Sequence, residues 1–250
     1  MKRIIIKIGT NVLTDHQQRL DLNNMRQLVF QISDALDCHK DIEFVIVSSG
    51  AITCGSKHIN MSPINLAKKQ AAAAIGQILL YQQYYDFFQF KNKCVAQLLV
   101  TKDNFEDDQK KENIKQTIET LFSENVIPII NENDSVSTEE IQFGDNDQLS
   151  STLAIHMNAN HLILLTNEDG LLDQNNRVVS TLQEISNDEL SLVNDSLSTS
   201  TSKGGMRSKL LAAQLAAANG INVTIANGRT PDILKSILQN QPVGTTIKCN

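Results

Sequence analysis

Carboxylates and side-chain amides crowd two short stretches of this chain, Asn131-Glu132-Asn133-Asp134 and, a little further on, Asp145-Asn146-Asp147. Carboxylates pair with ammonium groups and amides both donate and accept, so such clusters suit a small charged substrate. The first stretch follows Val126–Ile130, an apolar run that reads as a strand buried on both faces. Polar groups just past the carboxyl end of such a strand lie where open α/β sheets bind ligands. Asp145 and Asp147 precede a helical pattern, Gln148–Met157, where one of them can cap backbone N–H groups. Capping accounts for one aspartate and leaves the two clusters unexplained.

Three other segments have the residue types to hold an anion. The runs Lys7-Ile8-Gly9-Thr10 and Ser48-Ser49-Gly50-Ala51 end strand candidates in small residues, where glycine lets backbone approach a bound group closely. Taken alone, each is an ordinary strand-to-loop turn. The third, Ser202-Lys203-Gly204-Gly205-Met206-Arg207-Ser208-Lys209, sets a glycine pair beside cations just before a helical pattern, Leu210–Ala218. It reads either as a phosphate cradle at a helix N-terminus or as a solvated loop. Neither G-x-x-x-x-G-K-[ST] nor G-x-G-x-x-G occurs, which leaves a P-loop enzyme and a Rossmann dehydrogenase unsupported.

The elements that must position these residues alternate between short β-branched runs and longer helical patterns. Strands are predicted at Ile4–Ile8, Phe44–Ser48, Val95–Val100, Val126–Ile130, Leu162–Leu165 and Asn222–Ile225, with a last strand-like run at Thr245–Lys248. Leu22, Met25, Leu28, Val29, Ile32, Ala35 and Leu36 follow a 3.6-residue period, and Ala71–Ala74 leads into another helix whose alanines permit close packing. The alternation predicts an α/β fold, a mainly parallel central sheet sandwiched by helices. Val136, Thr138, Ile141 and Phe143 alternate, which predicts a hairpin between the acidic clusters. No repeat or Pro/Gly-rich linker divides the chain.

Composition narrows the partners. The length of 250 residues supports one large domain or two intimate lobes, and the formal charge of −6 argues against nucleic acid. Cys38, Cys54, Cys94 and Cys249 are scattered, with neither a C-x-x-C pair nor histidines at metal-ligand spacing. The chain enters its first strand almost at once, and no apolar run approaches membrane length. These features predict a cytoplasmic protein with no secretory leader and no membrane segment.

Taken in order, Lys7-Ile8-Gly9-Thr10, Ser48-Ser49-Gly50-Ala51-Ile52, Ala96-Gln97-Leu98-Leu99, Pro128 to Asp134, Gly144-Asp145-Asn146-Asp147 and Gly204 to Lys209 resemble the glutamate 5-kinase family of the amino acid kinase superfamily. The resemblance spans nearly the whole chain. It implies an amino acid kinase domain with a glutamate lobe over roughly 1–160 and a nucleotide lobe over 161–250, without the C-terminal PUA domain of many members. It further implies transfer of the ATP γ-phosphoryl group to the γ-carboxylate of L-glutamate, with Mg2+ on the nucleotide phosphates. Homo-oligomers and inhibition by proline come with the same family. Lys7 and Lys209 would be the cations on the transferring group, oriented by Asp147. Ser49, Gly50, Ala51, Asp134, Asp145 and Asn146 would bind glutamate, with Asp134 on its ammonium and Asn146 donating to a carboxylate. Lys7, Gly9, Thr166, Asn167 and the loop Lys203, Gly204, Gly205, Met206, Arg207, Ser208, Lys209 would hold the nucleotide. No protein metal ligand is expected.

Departures from the family's pattern cluster on the nucleotide side. Asn167 stands where an aspartate is usual, Leu172 where a tyrosine is, and Ser202-Lys203 where the loop normally begins Gly-Thr. Two alternatives stay open: a related kinase with another carboxylate or carbamate acceptor, and a weakly catalytic protein that senses glutamate or proline.

Overall fold

A computed structural model of the chain describes residues 1–137, 146–183, 185 and 205–249. In chain order, the strands and α-helices among them are β1 (Lys2–Ile8), α1 (Thr10–Leu13), α2 (Leu22–Cys38), β2 (Ile42–Ser48), α3 (Ala51–Gly55), α4 (Leu66–Phe90), β3 (Cys94–Val100), α5 (Asp108–Ser123), β4 (Val126–Glu132), α6 (Asn146–His156), β5 (His161–Thr166), β6 (Thr181–Leu182), α7 (Met206–Ala217), β7 (Asn222–Asn227), α8 (Ile233–Leu238) and β8 (Thr245–Ile247). The strands form one eight-stranded sheet in the order β3-β4-β2-β1-β5-β7-β8-β6. All its pairings are parallel except β7 with β8.

Side chains alternate between the two faces of a strand, so β1 divides its residues between two cores. Ile4, Ile6 and Ile8 pack with Phe44, Ile46, Ile129, Ile163 and Leu165 under α2, α4 and α8. Ile5 packs on the opposite face with Val45, Val47, Ile130, Leu162 and Leu164 under α6 and α7. Lys7 continues the Ile5 series. The period of two therefore sends an ammonium toward α6 and α7, on a strand covered on both sides.

Parallel pairing gathers the strand ends. Ile8 lies beside Ser48 on β2 and Leu165 on β5, while Val47 lies beside Ile130 on β4. Gly9, Ser49, Asn131 and Thr166 thus emerge together along the carboxyl edge of the sheet. That edge is where ligands bind in open α/β sheets.

Close backbone packing locks α3 to α4. A Cβ added to Gly55 would sit 1.8 Å from the Ala72 carbonyl oxygen, and one on Gly76 would sit 1.8 Å from that of Ala51. Ala72 and Ala73 are buried beside this crossing, as their small size allows. No helix among the described residues is long and apolar enough to cross a membrane.

Each strand predicted from sequence is present; six are extended by a residue or two, and the last stops at Ile247, one residue short. Helix α5 and strand β6 were not anticipated. α5 buries only Ile118 fully, which leaves its apolar period faint, and β6 is two residues long. α6 begins at Asn146 rather than Gln148, and α7 at Met206 rather than Leu210. Asp147 and Lys209 consequently belong to the first turns of their helices. Of the expected hairpin, only Val136 and Ser137 fall within the described residues.

At the opposite edge of the sheet, burial is the main cause that lowers the His161 pKa from 6.5 to about 4, with a smaller contribution from the charge of Lys2. Its Nε2 lies 2.9 Å from the Thr224 hydroxyl. The unfolded chain takes up this proton first as pH falls. The neutral ring's contribution is therefore complete above pH 6.5 and is lost as pH drops toward 4. In urea denaturation across that window, wild type should lose about 3 kcal/mol more stability than His161→Asn.

Candidate active site

The carboxylate of Asp147 is fully buried between two lysines. Lys7 Nζ lies 2.6 Å from Oδ1, and Lys209 Nζ lies 3.1 Å from Oδ2. The Ser208 hydroxyl donates to the same Oδ2 at 3.2 Å. Strand β1 supplies Lys7, α6 supplies Asp147 and α7 supplies the other two. Residues far apart in sequence thereby share one carboxylate. The lysines are 3% and 4% exposed. The three side chains carry a net charge of +1, held where low dielectric strengthens attraction for a further anion.

Gly9 shapes the near wall. Its N–H donates to Leu165 O at 3.1 Å, and an added Cβ would come within 3.1 Å of that oxygen and 3.7 Å of Lys7 Nζ. A side chain here would press on β5 and crowd the ammonium. Gly50 has φ +103°, which favours glycine, and a Cβ there would meet nothing within 4 Å. The backbone before Ala51 therefore borders open space.

A band of polar side chains runs from β2 across β4. Asn146 Nδ2 lies 2.9 Å from each of Ser48 O, Ser49 Oγ and Asn131 Oδ1. Asn131 Nδ2 in turn donates to Gln77 Oε1 on α4 at 2.8 Å. Ser48 Oγ and the Tyr84 hydroxyl are 3.0 Å apart, and burial pushes the phenol of Tyr84 upward. Glu132 is buried and accepts from the Ser137 hydroxyl at 3.2 Å. Asp134 follows in the turn beyond β4 and is half-buried.

The structure brings Lys7, Asp147, Lys209 and Ser208 into contact and joins Ser49 to Asn146. Gly50, Ala51 and Asp134 follow the ends of the neighbouring strands β2 and β4. Thr166 is buried at the end of β5, while Asn167 is exposed and donates to Glu168 at 3.2 Å. Gly205 caps α7, with Met206 half-buried and Arg207 exposed in its first turn. Asp145, Lys203 and Gly204 lie outside the described residues.

Asp147 turns its carboxylate to the two lysines, the contact the resemblance implied. One expectation changes. The Asn146 NH2, expected to donate to a substrate carboxylate, already faces three protein acceptors with two hydrogens. Sequence reasoning also passed over Gln77. Its place inside a long helical pattern carries no signal of a site.

Fold and site together define the class. The chain belongs to the amino acid kinase family, whose model matches residues 2–227. Its curated relatives include the glutamate 5-kinase of Caldanaerobacter subterraneus, 40% identical over 98% of this chain and 67% of that protein. The glutamate 5-kinase of Clostridium perfringens is 38% identical over 98% of this chain and 94% of its own length. A crystal structure of UMP kinase from Bacillus anthracis superposes with a TM-score of 0.64 at 16% identity, covering 100% of this chain and 96% of that one. It shares the fold.

Removing the shared carboxylate should leave two buried ammoniums without their bridge. Asp147→Asn is expected to cost about 3–5 kcal/mol in chemical denaturation. Lys7→Met should cost less, because Lys209 and Asp147 remain as a balanced pair.

Proposed function

We infer that this chain is a glutamate 5-kinase, which transfers the γ-phosphoryl group of ATP to the γ-carboxylate of L-glutamate. The product is L-glutamyl 5-phosphate, and the reaction opens proline biosynthesis. The near-full-length likeness to glutamate 5-kinases carries this reading, and the two lysines held on one buried carboxylate give it a chemical basis.

A carboxylate oxygen of glutamate attacks the γ-phosphorus; the new O–P bond forms as the bond to the β,γ-bridging oxygen breaks, and ADP departs. The attacking group is already an anion, so no general base is required. Positioning and charge stabilisation carry the step. Lys7 and Lys209 are set to neutralise charge moving from the attacking oxygen to the leaving one. Asp147 restrains both ammoniums and has Ser208 as a further donor.

On the glutamate side the reading assigns Ser49, Gly50, Ala51, Asp134, Asp145 and Asn146, with Asp134 on the ammonium. On the nucleotide side it assigns Gly9, Thr166, Asn167 and the segment Lys203 to Lys209. Residues 1–160 then form the acceptor lobe and 161–250 the nucleotide lobe, both built on the same sheet. Mg2+ would ride on the nucleotide phosphates and water. Both oxygens of Asp147 are engaged by the two lysines, which leaves the metal to the phosphate oxygens in this reading. Proline would compete at the glutamate pocket, and the chain would assemble as a homo-oligomer in the cytoplasm.

Acyl phosphate trapped with hydroxylamine tests the reaction across glutamate, N-acetylglutamate, aspartate and carbamate. ATP-dependent product is expected with glutamate; a preference for any other acceptor would overturn the assignment. In the same assay Lys7→Met and Lys209→Met should each lower kcat by roughly 10²- to 10³-fold, more than they raise either KM.

A further inference from the structure

Three side-chain amides, Gln77, Asn131 and Asn146, stand in a row from α4 to the substrate side of the sheet. Asn131 Nδ2 donates to Gln77 Oε1 at 2.8 Å, which turns Asn131 Oδ1 toward the Glu132 N–H and Asn146 Nδ2, each at 2.9 Å. Ser48 O, also 2.9 Å from Asn146 Nδ2, can only accept. The Asn146 amide is thus fixed with its NH2 toward the protein. Its carbonyl oxygen is buried and has no hydrogen-bond partner among the described residues.

An unsatisfied buried acceptor costs about 1–3 kcal/mol unless a donor reaches it. A ligand carboxylate has no hydrogen to give, whereas a ligand ammonium has three donors. We propose that Gln77 is a positioning residue for substrate selection: through Asn131 it fixes Asn146 as an acceptor for the free amino group of the substrate. This rests on the glutamate kinase reading.

The surroundings hold Gln77 in register. Gly76 beside it is pressed against α3, and the same face of α4 carries Gln70, which donates to Ser137 O at 3.2 Å, and Tyr81, whose hydroxyl donates to Ile129 O. Gln77 lies between two clamps on the β4 end. Without its Oε1, the Asn131 amide is free to reverse and set NH2 against NH2 at Asn146. One neutral hydrogen bond contributes about 0.5–1.5 kcal/mol, so the effect is selective rather than catalytic.

The test compares glutamate with glutarate, which keeps both carboxylates and lacks the ammonium. Gln77→Leu should raise the glutamate KM about three- to tenfold, with kcat and the ATP KM within about twofold. Inhibition by glutarate should change less than about twofold, which narrows discrimination between the two ligands. Gln77→Glu keeps an oxygen for Asn131 Nδ2 and should retain wild-type discrimination; it also serves if the leucine variant does not fold. Equal weakening toward both ligands, no weakening at all, or loss of discrimination in Gln77→Glu would overturn the role of Gln77. A wild-type enzyme that makes no acyl phosphate from glutamate would instead overturn the kinase reading.

Discussion

One buried carboxylate ties the halves of this chain together. Asp147 takes Lys7 from the first strand and Lys209 from a late helix, at 2.6 and 3.1 Å. Burying charges is costly, and close pairing offsets that cost only when geometry holds every group in place. Strand β1 lies at the centre of the sheet, and α6 and α7 pack over one of its faces. The sandwich thereby brings three charges to one point, and the proposed phosphoryl transfer would use the positive charge held there.

Around that point the fold places polar atoms by backbone contact rather than by flexible reach. Glycine meets helix backbone at Gly55 and Gly76, so α4 stands close enough for Gln70, Gln77 and Tyr81 to hold the β4 end. The amide row depends on that spacing. A single added methyl group at either glycine would push the helices apart and carry the hydrogen-bonding side chains away from Ser137, Asn131 and Ile129.

The sheet architecture does not choose the acceptor. A UMP kinase shares it at 16% identity, so the fold alone leaves the substrate undetermined. Just beyond the strands, Ser49, Asn131, Asp134 and Asn146 collect, and the proposed reading assigns acceptor selection to these segments. The fold instead fixes which strand ends come together along the carboxyl edge of the sheet.

Much of this was legible from the chain alone. Six apolar runs marked strands, most of them because a strand buried on both faces must be apolar throughout, and the helical period of Leu22 to Leu36 marked α2. The family resemblance carried by the ordered motifs singled out Lys7, Asp147 and Lys209, which the structure brings into contact. Helix α5 escaped because it turns mostly polar residues to solvent, and β6 because two residues carry no period. What only the tertiary structure decided was contact and direction. That both lysines share one carboxylate follows from strand order and helix packing, which are long-range. That Asn146 turns its NH2 to the protein and its carbonyl away from those acceptors follows from its neighbours, Ser48 O and Asn131 Oδ1. An asparagine in sequence is equally donor and acceptor; only the atoms packed against it break that symmetry.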